Sequence, residues 1–377
     1  MAKIMVATGE VSGDMHAARV IREIKKINPY IEFLGMGSSF LKEEGVRILI
    51  DPSEISTIGF IEPLKNLRTH LGNLKKFKKA LDKEKPDLLF LVDNSGFNML
   101  LARAAYKIGI PVLNYFSPSA WIWGKWRAKW MASYKATIAS VFPMEDIVYR
   151  EAGAKVIFVG HPLVDIVSVE AKKKDIYADF ELDPLRTVIG LLPGSRTQEI
   201  ESLLPIMLKT AEKIQRERKD CQFVLPLAKG VCKDKVAKLA AEHQVYIKIL
   251  EGKTYQLMKI ADLLITASGT ATLEAAIIGT PMIIIYRLSS FTYFLGKRLV
   301  KFDYIGLANI IADRKIVPEL IQEAVNPDQI YATTMSFLNK PYKLKHIRQE
   351  LKYVKEKLGS EGAVRRTAEL ILKEAKL

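Results

Sequence analysis

The stretch Leu191-Leu192-Pro193-Gly194-Ser195-Arg196 constrains the fold of this chain more than any other. An apolar run, residues 187–192, leads into it, and Ile200, Leu203, Leu204, Met207, Leu208, Ala211 and Ile214 follow at helical spacing. A strand that passes into a helix through a short turn is the building unit of a parallel α/β sheet. Gly194 lets a ligand approach the backbone, Ser195 supplies a hydroxyl or a cap, and Arg196 supplies a permanent planar cation. Free N–H groups at a helix N-terminus beside an arginine suit a phosphate. An ordinary surface turn has the same residues, so this stretch alone leaves both readings open.

The strand–turn–helix pattern recurs on both sides of it. With 377 residues, 49% of them apolar, the chain is long enough for two α/β domains with full cores. In the first half, Lys3–Thr8 reads as a buried strand, followed by Gly9-Glu10-Val11-Ser12-Gly13-Asp14 and a helical pattern through Ala17, Val20, Ile21 and Ile24. This turn is not the GxGxxG dinucleotide fingerprint: its spacing is wrong, and its two carboxylates would repel a pyrophosphate. It suits a hydroxyl-rich ligand, or Glu10 and Asp14 serve as helix caps. Residues 87–92 form a second strong strand, and Asp93 stands at its carboxyl end, where ligands gather in open α/β sheets. Asp93 is therefore a candidate general base, with helix capping as the alternative.

Further strands are expected at 112–116, 136–141 and 155–159. All four tryptophans fall within residues 121–130, interleaved with Lys125, Arg127 and Lys129. Trp121 and Trp123 suit a ligand or membrane contact, whereas Trp126 and Trp130 could instead pack inward from a helix. His161 precedes Pro162 and should be extended in a loop, as a functional residue or as a hydrogen-bonded structural histidine. Residues 164–186 read as a linker, with the charge run Lys172-Lys173-Lys174 and the breaker Asp183-Pro184.

A second alternation then begins at the opening motif. Its strand at 263–266 runs into Ala267-Ser268-Gly269-Thr270-Ala271-Thr272-Leu273-Glu274. This is a second cradle for an anion, made by the amides of residues 269–272 and two threonine hydroxyls, and Glu274 could accept a pair of ribose hydroxyls. Asn309 ends a polar-tipped loop, residues 303–309, and the chain is helical and basic beyond residue 328. The expected domains are residues 1–165 and 166–340, with the helices of 341–377 packing back on the first.

Composition narrows the function. The formal charge of +15 asks for an anionic partner, yet no nucleic-acid-binding signature is present. Cys221 and Cys232 fit a reducing compartment, and the five histidines show no metal-ligand spacing, so no metal or other cofactor is expected. The start of the chain does not read as a signal peptide. No apolar run reaches the roughly 18 residues of a membrane span. Residues 58–81 carry Ile58, Phe60, Ile61, Leu64, Leu67, Leu71, Leu74, Phe77 and Leu81 on one face, with lysines and Arg68 opposite. Such a helix lies in a membrane interface or buries its stripe in the core.

Taken together and in order, Gly9 to Asp14, Ser117-Pro118-Ser119-Ala120-Trp121-Ile122-Trp123, Phe142-Pro143-Met144-Glu145, Val159-Gly160-His161-Pro162, residues 191–196 and residues 268–274 resemble the lipid-A-disaccharide synthases. The resemblance spans nearly the whole chain. It implies the GT-B plan: two Rossmann-like domains with the cleft between them, acceptor on the first and nucleotide sugar on the second. It implies an inverting, metal-independent hexosyl transfer from UDP-2,3-diacylglucosamine to 2,3-diacylglucosamine 1-phosphate (lipid X).

Carried over by that resemblance, Arg196 and Asn309 contact the UDP phosphates and Glu274 the ribose. Gly194, Ser195, Ser268, Gly269, Thr270, Ala271 and Thr272 complete the cradle, while Glu10 and Asp93 act on the acceptor. The membrane segment maps onto residues 58–81, making the chain a cytoplasmic protein peripheral on the inner face of the membrane. A homodimer stays open. Where the family often reads Asp-x-Pro-Asp-Phe-Asn, this chain has Asp93-Asn94-Ser95-Gly96-Phe97-Asn98, so no role passes to a second aspartate. A different UDP-sugar enzyme of the same fold, such as a 2-epimerase, and an inactive membrane-surface binding protein are the alternatives.

Overall fold

A computed structural model describes residues 2–52, 67–122, 124–228, 230–287 and 304–377. Ile58, Phe60, Ile61, Leu64 and Trp123 lie outside these residues, as does the side chain of Leu67. The chain forms two compact units, Met1–Asp165 with Leu358–Leu377, and Ile166–Lys357.

Among the described residues, the first unit holds a parallel sheet of β1 (Lys3–Thr8), β2 (Glu32–Met36), β3 (Arg47–Ile50), β4 (Leu88–Val92), β5 (Val112–Tyr115), β6 (Thr137–Ser140) and β7 (Lys155–Phe158). Their spatial order is β3-β2-β1-β4-β5-β6-β7. Side-chain alternation divides β1 between two cores. Ile4 and Val6 pack with Ala17, Val20, Ile21 and Ile24 of helix Val11–Ile27 and with Ala368 and Ile371 of helix Ala363–Ala375. Met5 and Ala7 face Leu74, Phe77 and Leu81 of helix Leu67–Glu84. Burial on both faces explains why β1 and β4 read as continuous apolar runs.

The described part of the amphipathic stretch therefore takes the core role. Phe77 and Leu81 are fully buried, each contributing about 1.5–3 kcal/mol. Leu71, at 56% exposure, stands outside that core.

The second unit repeats the plan with β8 (Thr187–Leu192), β9 (Cys221–Leu227), β10 (Ile247–Glu251), β11 (Leu263–Ala267), β12 (Met282–Tyr286) and β13 (Glu319–Ile321). Their order is β10-β9-β8-β11-β12-β13, every pair parallel. In both sheets the strand order reverses beside the first strand, between β1 and β4 and between β8 and β11. That reversal opens a crevice at the carboxyl ends of the strands, where ligands bind in such folds.

One domain boundary differs from the expectation. Helix Pro341–Lys357 stays in the second unit, where Leu344, Ile347, Leu351 and Val354 are buried against helices Thr270–Ile278 and Leu307–Ala312. Only residues 358–377 join the first unit. Asp165 fixes their entry by accepting from the Gly362 and Val364 amides at 2.6 and 3.0 Å, and Glu374 accepts from Thr137 and Lys155 at the far end.

Candidate active site

In the second unit, β8 ends at the Pro193–Arg196 turn and β11 at Ser268 and Gly269. Each turn opens a helix, Thr197–Glu217 and Thr270–Ile278. Because β8 and β11 are paired, the two helix starts stand side by side. Gly194, Ser195, Arg196, Ser268, Gly269, Thr270, Ala271 and Glu274 line one cavity of about 350 Å³. That volume lies within the range of small-ligand sites. Gly194 has φ +110°, and a Cβ there would lie 2.2 Å from Glu199 Oε2, so only glycine fits. The Arg196 side chain is 73% exposed and lies 3.6 Å from Glu199 Oε1.

Glu274 is half-buried on the first turns of its helix and accepts a 2.8 Å bond from the Tyr255 hydroxyl. Burial raises its pKa, and the Tyr255 bond opposes the rise. Sequence reasoning missed Tyr255, whose position just past the carboxyl end of β10 was the available signal. It also missed Glu199, three residues after the arginine that opens its helix.

Two expected ligand contacts need correcting. The Thr272 hydroxyl is buried and donates to Gly269 O at 2.8 Å, so it braces the cradle from behind instead of lining it. Asn309 is fully buried. Its amide nitrogen donates to Val317 O and Glu319 Oε1 at 2.9 and 2.7 Å, and its oxygen accepts from the Ile316 and Val317 amides at 2.8 and 3.0 Å. Those bonds use its full capacity, leaving its side chain nothing for a phosphate.

In the first unit, the turns after β1 and β4 meet closely. A Cβ on Gly9 would lie 2.0 Å from Asn94 Nδ2, and one on Gly13 would lie 3.3 Å from Asp93 Cβ. Asp93 and Asn94 both take left-handed backbone, with φ +56° and +47°. Strain of this kind, about 1–3 kcal/mol per residue, gathers at functional sites. The buried Asn98 side chain holds the turn by donating to Val92 O and Asp93 O. Asp93 Oδ1 accepts from the Asn94 amide at 2.8 Å. Burial first, and the Glu10 charge second, raise the Asp93 pKa above the usual carboxylate value, against that amide bond.

Glu10 is exposed and its side chain caps no helix, whereas Asp14 is a structural brace. Asp14 is buried and accepts from Ser38 N and Oγ, both at 2.8 Å, and from Phe40 N at 3.0 Å.

Beyond β5, Phe116 has φ +52°, an outlier for a bulky residue, and stacks on His16 at 4.5 Å. His161 packs between Phe116 and Phe142, and Trp121 leans on Phe142 at 5.9 Å. Burial lowers the pKa of His16 to about 4 and of His161 to about 3, so both rings are neutral at pH 7. His161 Nδ1 accepts from the Leu163 amide at 3.1 Å, the structural role expected for it. His16 and Phe116 were not singled out in the sequence.

Trp126 and Trp130 do not pack inward. They are 47% and 49% exposed and meet edge to face at 4.7 Å, while Ala128 and Met131 fill the core side of helix Trp126–Ser133.

The profile of the family described as lipid-A-disaccharide synthetase matches residues 4–374. The lipid-A-disaccharide synthase of Geobacter sulfurreducens is 40% identical over 370 residues, covering 98% of this chain and 96% of the relative. That of Nitrosococcus oceani is 38% identical over 367 residues, covering 97% and 95%. Among solved structures, UDP-GlcNAc 2-epimerase from Neisseria meningitidis bound to UDP-GlcNAc superposes with a TM-score of 0.65 at 14% identity, covering 98% of this chain and all of that one. At that identity the likeness speaks for the fold alone. The profile and the relatives run through both units and both strand-order reversals, and this protein belongs to the lipid-A-disaccharide synthetase family of glycosyltransferases.

Proposed function

We propose that this enzyme transfers 2,3-diacylglucosamine from UDP-2,3-diacylglucosamine to the 6-hydroxyl of 2,3-diacylglucosamine 1-phosphate. The products are the β-1,6-linked disaccharide 1-phosphate of lipid A biosynthesis and UDP. What carries the reading is the convergence of two strand-to-helix turns, with Arg196, on one cavity at the second sheet's reversal, in a chain of this family.

The chemistry follows from the two sites. The acceptor oxygen attacks the sugar's C1 from the face opposite UDP, and the C1–O bond breaks with its electron pair leaving on the diphosphate. Asp93 takes the acceptor's proton, helped by the raised basicity that burial and Glu10 give it. Arg196 and the amides of Ser195, Thr270 and Ala271 receive the charge that develops on UDP. Glu274, held by Tyr255, takes the ribose hydroxyls.

This reading includes a peripheral position on the inner face of the cytoplasmic membrane. It is supported by the +15 charge, by exposed Trp126 and Trp130 beside exposed Lys125 and Lys129, and by the greasy substrates. No described helix is long and apolar enough to cross a membrane.

The deciding experiment mixes the purified protein with both lipids and reads the disaccharide 1-phosphate by mass spectrometry. Equal transfer from UDP-GlcNAc without acyl chains, or conversion of UDP-GlcNAc to its 2-epimer, would overturn the acyl-sugar assignment. Failure to float with anionic vesicles at low salt would overturn the membrane assignment alone.

A further inference from the structure

The turn that is built for an anion already holds one. Glu199 folds back from the first turn of helix Thr197–Glu217, and its Oε2 accepts from the backbone amides of Ser195 and Arg196 at 3.2 and 3.4 Å. Its Oε1 lies 3.6 Å from Arg196 Nη1. The carboxylate lies so close over Gly194 that any Cβ there would collide with it. Glu199 also lines the cavity formed by Ser195, Arg196 and Ser268 to Ala271. One side chain therefore engages both the donors and the cation that a phosphate would use.

We propose that Glu199 is a built-in stand-in for the diphosphate: it holds the Pro193–Arg196 turn folded and competes with the nucleotide for the amides of that turn and for the Arg196 side chain. The inference rests on the assignment of UDP to this cavity and adds a specific positioning role within it. For UDP to bind, the carboxylate must surrender two charge-assisted bonds and its ion pair, then remain nearby as a like charge. Both effects weaken the hold on UDP. They fall on the product and on the donor alike, so the residue limits affinity and speeds product release. An uncharged nucleoside does not meet this competition.

A simple helix-cap role has a different signature. Glu199→Gln keeps an oxygen that can accept from the Ser195 and Arg196 amides while removing the charge. A residue that only caps the helix would leave UDP affinity unchanged, or lower it if the turn loosened.

The test is calorimetric titration of the wild-type chain and the Gln variant with UDP and with uridine, each variant checked by thermal melting. The expected result is UDP bound about five- to tenfold tighter by the variant, the size of one like charge removed from a partly exposed site. Uridine affinity should stay unchanged, and UDP should become a stronger product inhibitor. Unchanged or weaker UDP binding by a folded variant overturns the proposal while leaving the UDP site intact. Absence of UDP binding by the wild-type chain overturns the site assignment, and this proposal with it.

A second measurement needs no variant. In the wild-type chain, the amide resonances of Ser195 and Arg196 should shift with UDP or with inorganic phosphate as the acceptor changes from carboxylate to phosphate. If those two resonances stay in place while others in the cavity move, Glu199 is not displaced and the proposal fails.

Discussion

The two strand-order reversals share a topology and differ in sign. At the reversal between β1 and β4 the chain places Glu10, Asp93 and, on the helix that follows β1, the neutral His16. At the reversal between β8 and β11 it places helix N-termini, Arg196 and hydroxyls. The same backbone arrangement thus makes a site able to accept a proton in one unit and a site able to receive an anion in the other. The fold decides where a ligand sits, and the residues just past the strand ends decide what charge it carries.

If that division of labour is right, the largest effect comes from Asp93→Asn. Loss of a general base typically costs about 10²–10⁴ in kcat. UDP affinity, measured by calorimetry, should not change, because no residue of the β8–β11 reversal is touched. A variant with near-normal turnover would remove Asp93 as the base and break the comparison at its acidic end.

Arg196→Ala probes the other end. Deleting a cation that meets a diphosphate should weaken UDP binding by about 10–100-fold, since bonds to charged groups are worth about 1.5–3 kcal/mol. The loss should exceed the loss in uridine affinity. Equal losses for both would mean that Arg196 supports the turn without touching phosphate. Its side chain is exposed and packs in no core, so the variant should melt like the wild-type chain, which a melting curve checks.

Which parts of this were readable from sequence depends on the range of the interaction. The turn at 191–196 was legible because a strand, a glycine and an arginine are all local signals. Its opposite number at 268–274 was legible for the same reason. Phe77 and Leu81 were ambiguous, because a stripe of period 3.6 looks alike whether it faces a core or a membrane. Tyr255, His16 and Phe116 escaped notice because their roles rest on partners 19 or more residues away in sequence, Glu274 for Tyr255 and each other for the ring pair. Asn309 is a different case. Its phosphate contact was implied by the resemblance alone, and nothing local announces that helix Leu307–Ala312 buries it beside Glu319.

That correction makes a prediction of its own. Asn309→Ala strips acceptors and donors from a fully buried site, leaving the Ile316 and Val317 amides without their partner. The expected cost is about 1–3 kcal/mol for each buried N–H stranded, visible as a lower midpoint in urea. The fraction that remains folded should bind UDP with wild-type affinity. A folded variant with weakened UDP binding would return Asn309 to the nucleotide site.

The smallest effect sharpens the acidic end, and it is a shift in pH dependence. Two forces raise the Asp93 pKa, burial and then the charge of Glu10. The base is active only when deprotonated, so kcat/KM should fall on the acid side at a higher pH than an ordinary aspartate would give. Glu10→Gln removes the second force and leaves the first. The Asp93 pKa then drops, and the acid limb should move to lower pH by a fraction of a unit, because Glu10 is exposed and its field is screened. The direction is the informative part: an unmoved limb would mean that the Glu10 charge does not reach Asp93. Movement to higher pH would mean that Glu10 stabilises the ionised form of the base, the opposite of the charge repulsion inferred between them. A contact of Glu10 with the acceptor sugar would raise KM for the lipid acceptor in the same variant without moving the limb in kcat/KM, because that limb belongs to the free enzyme.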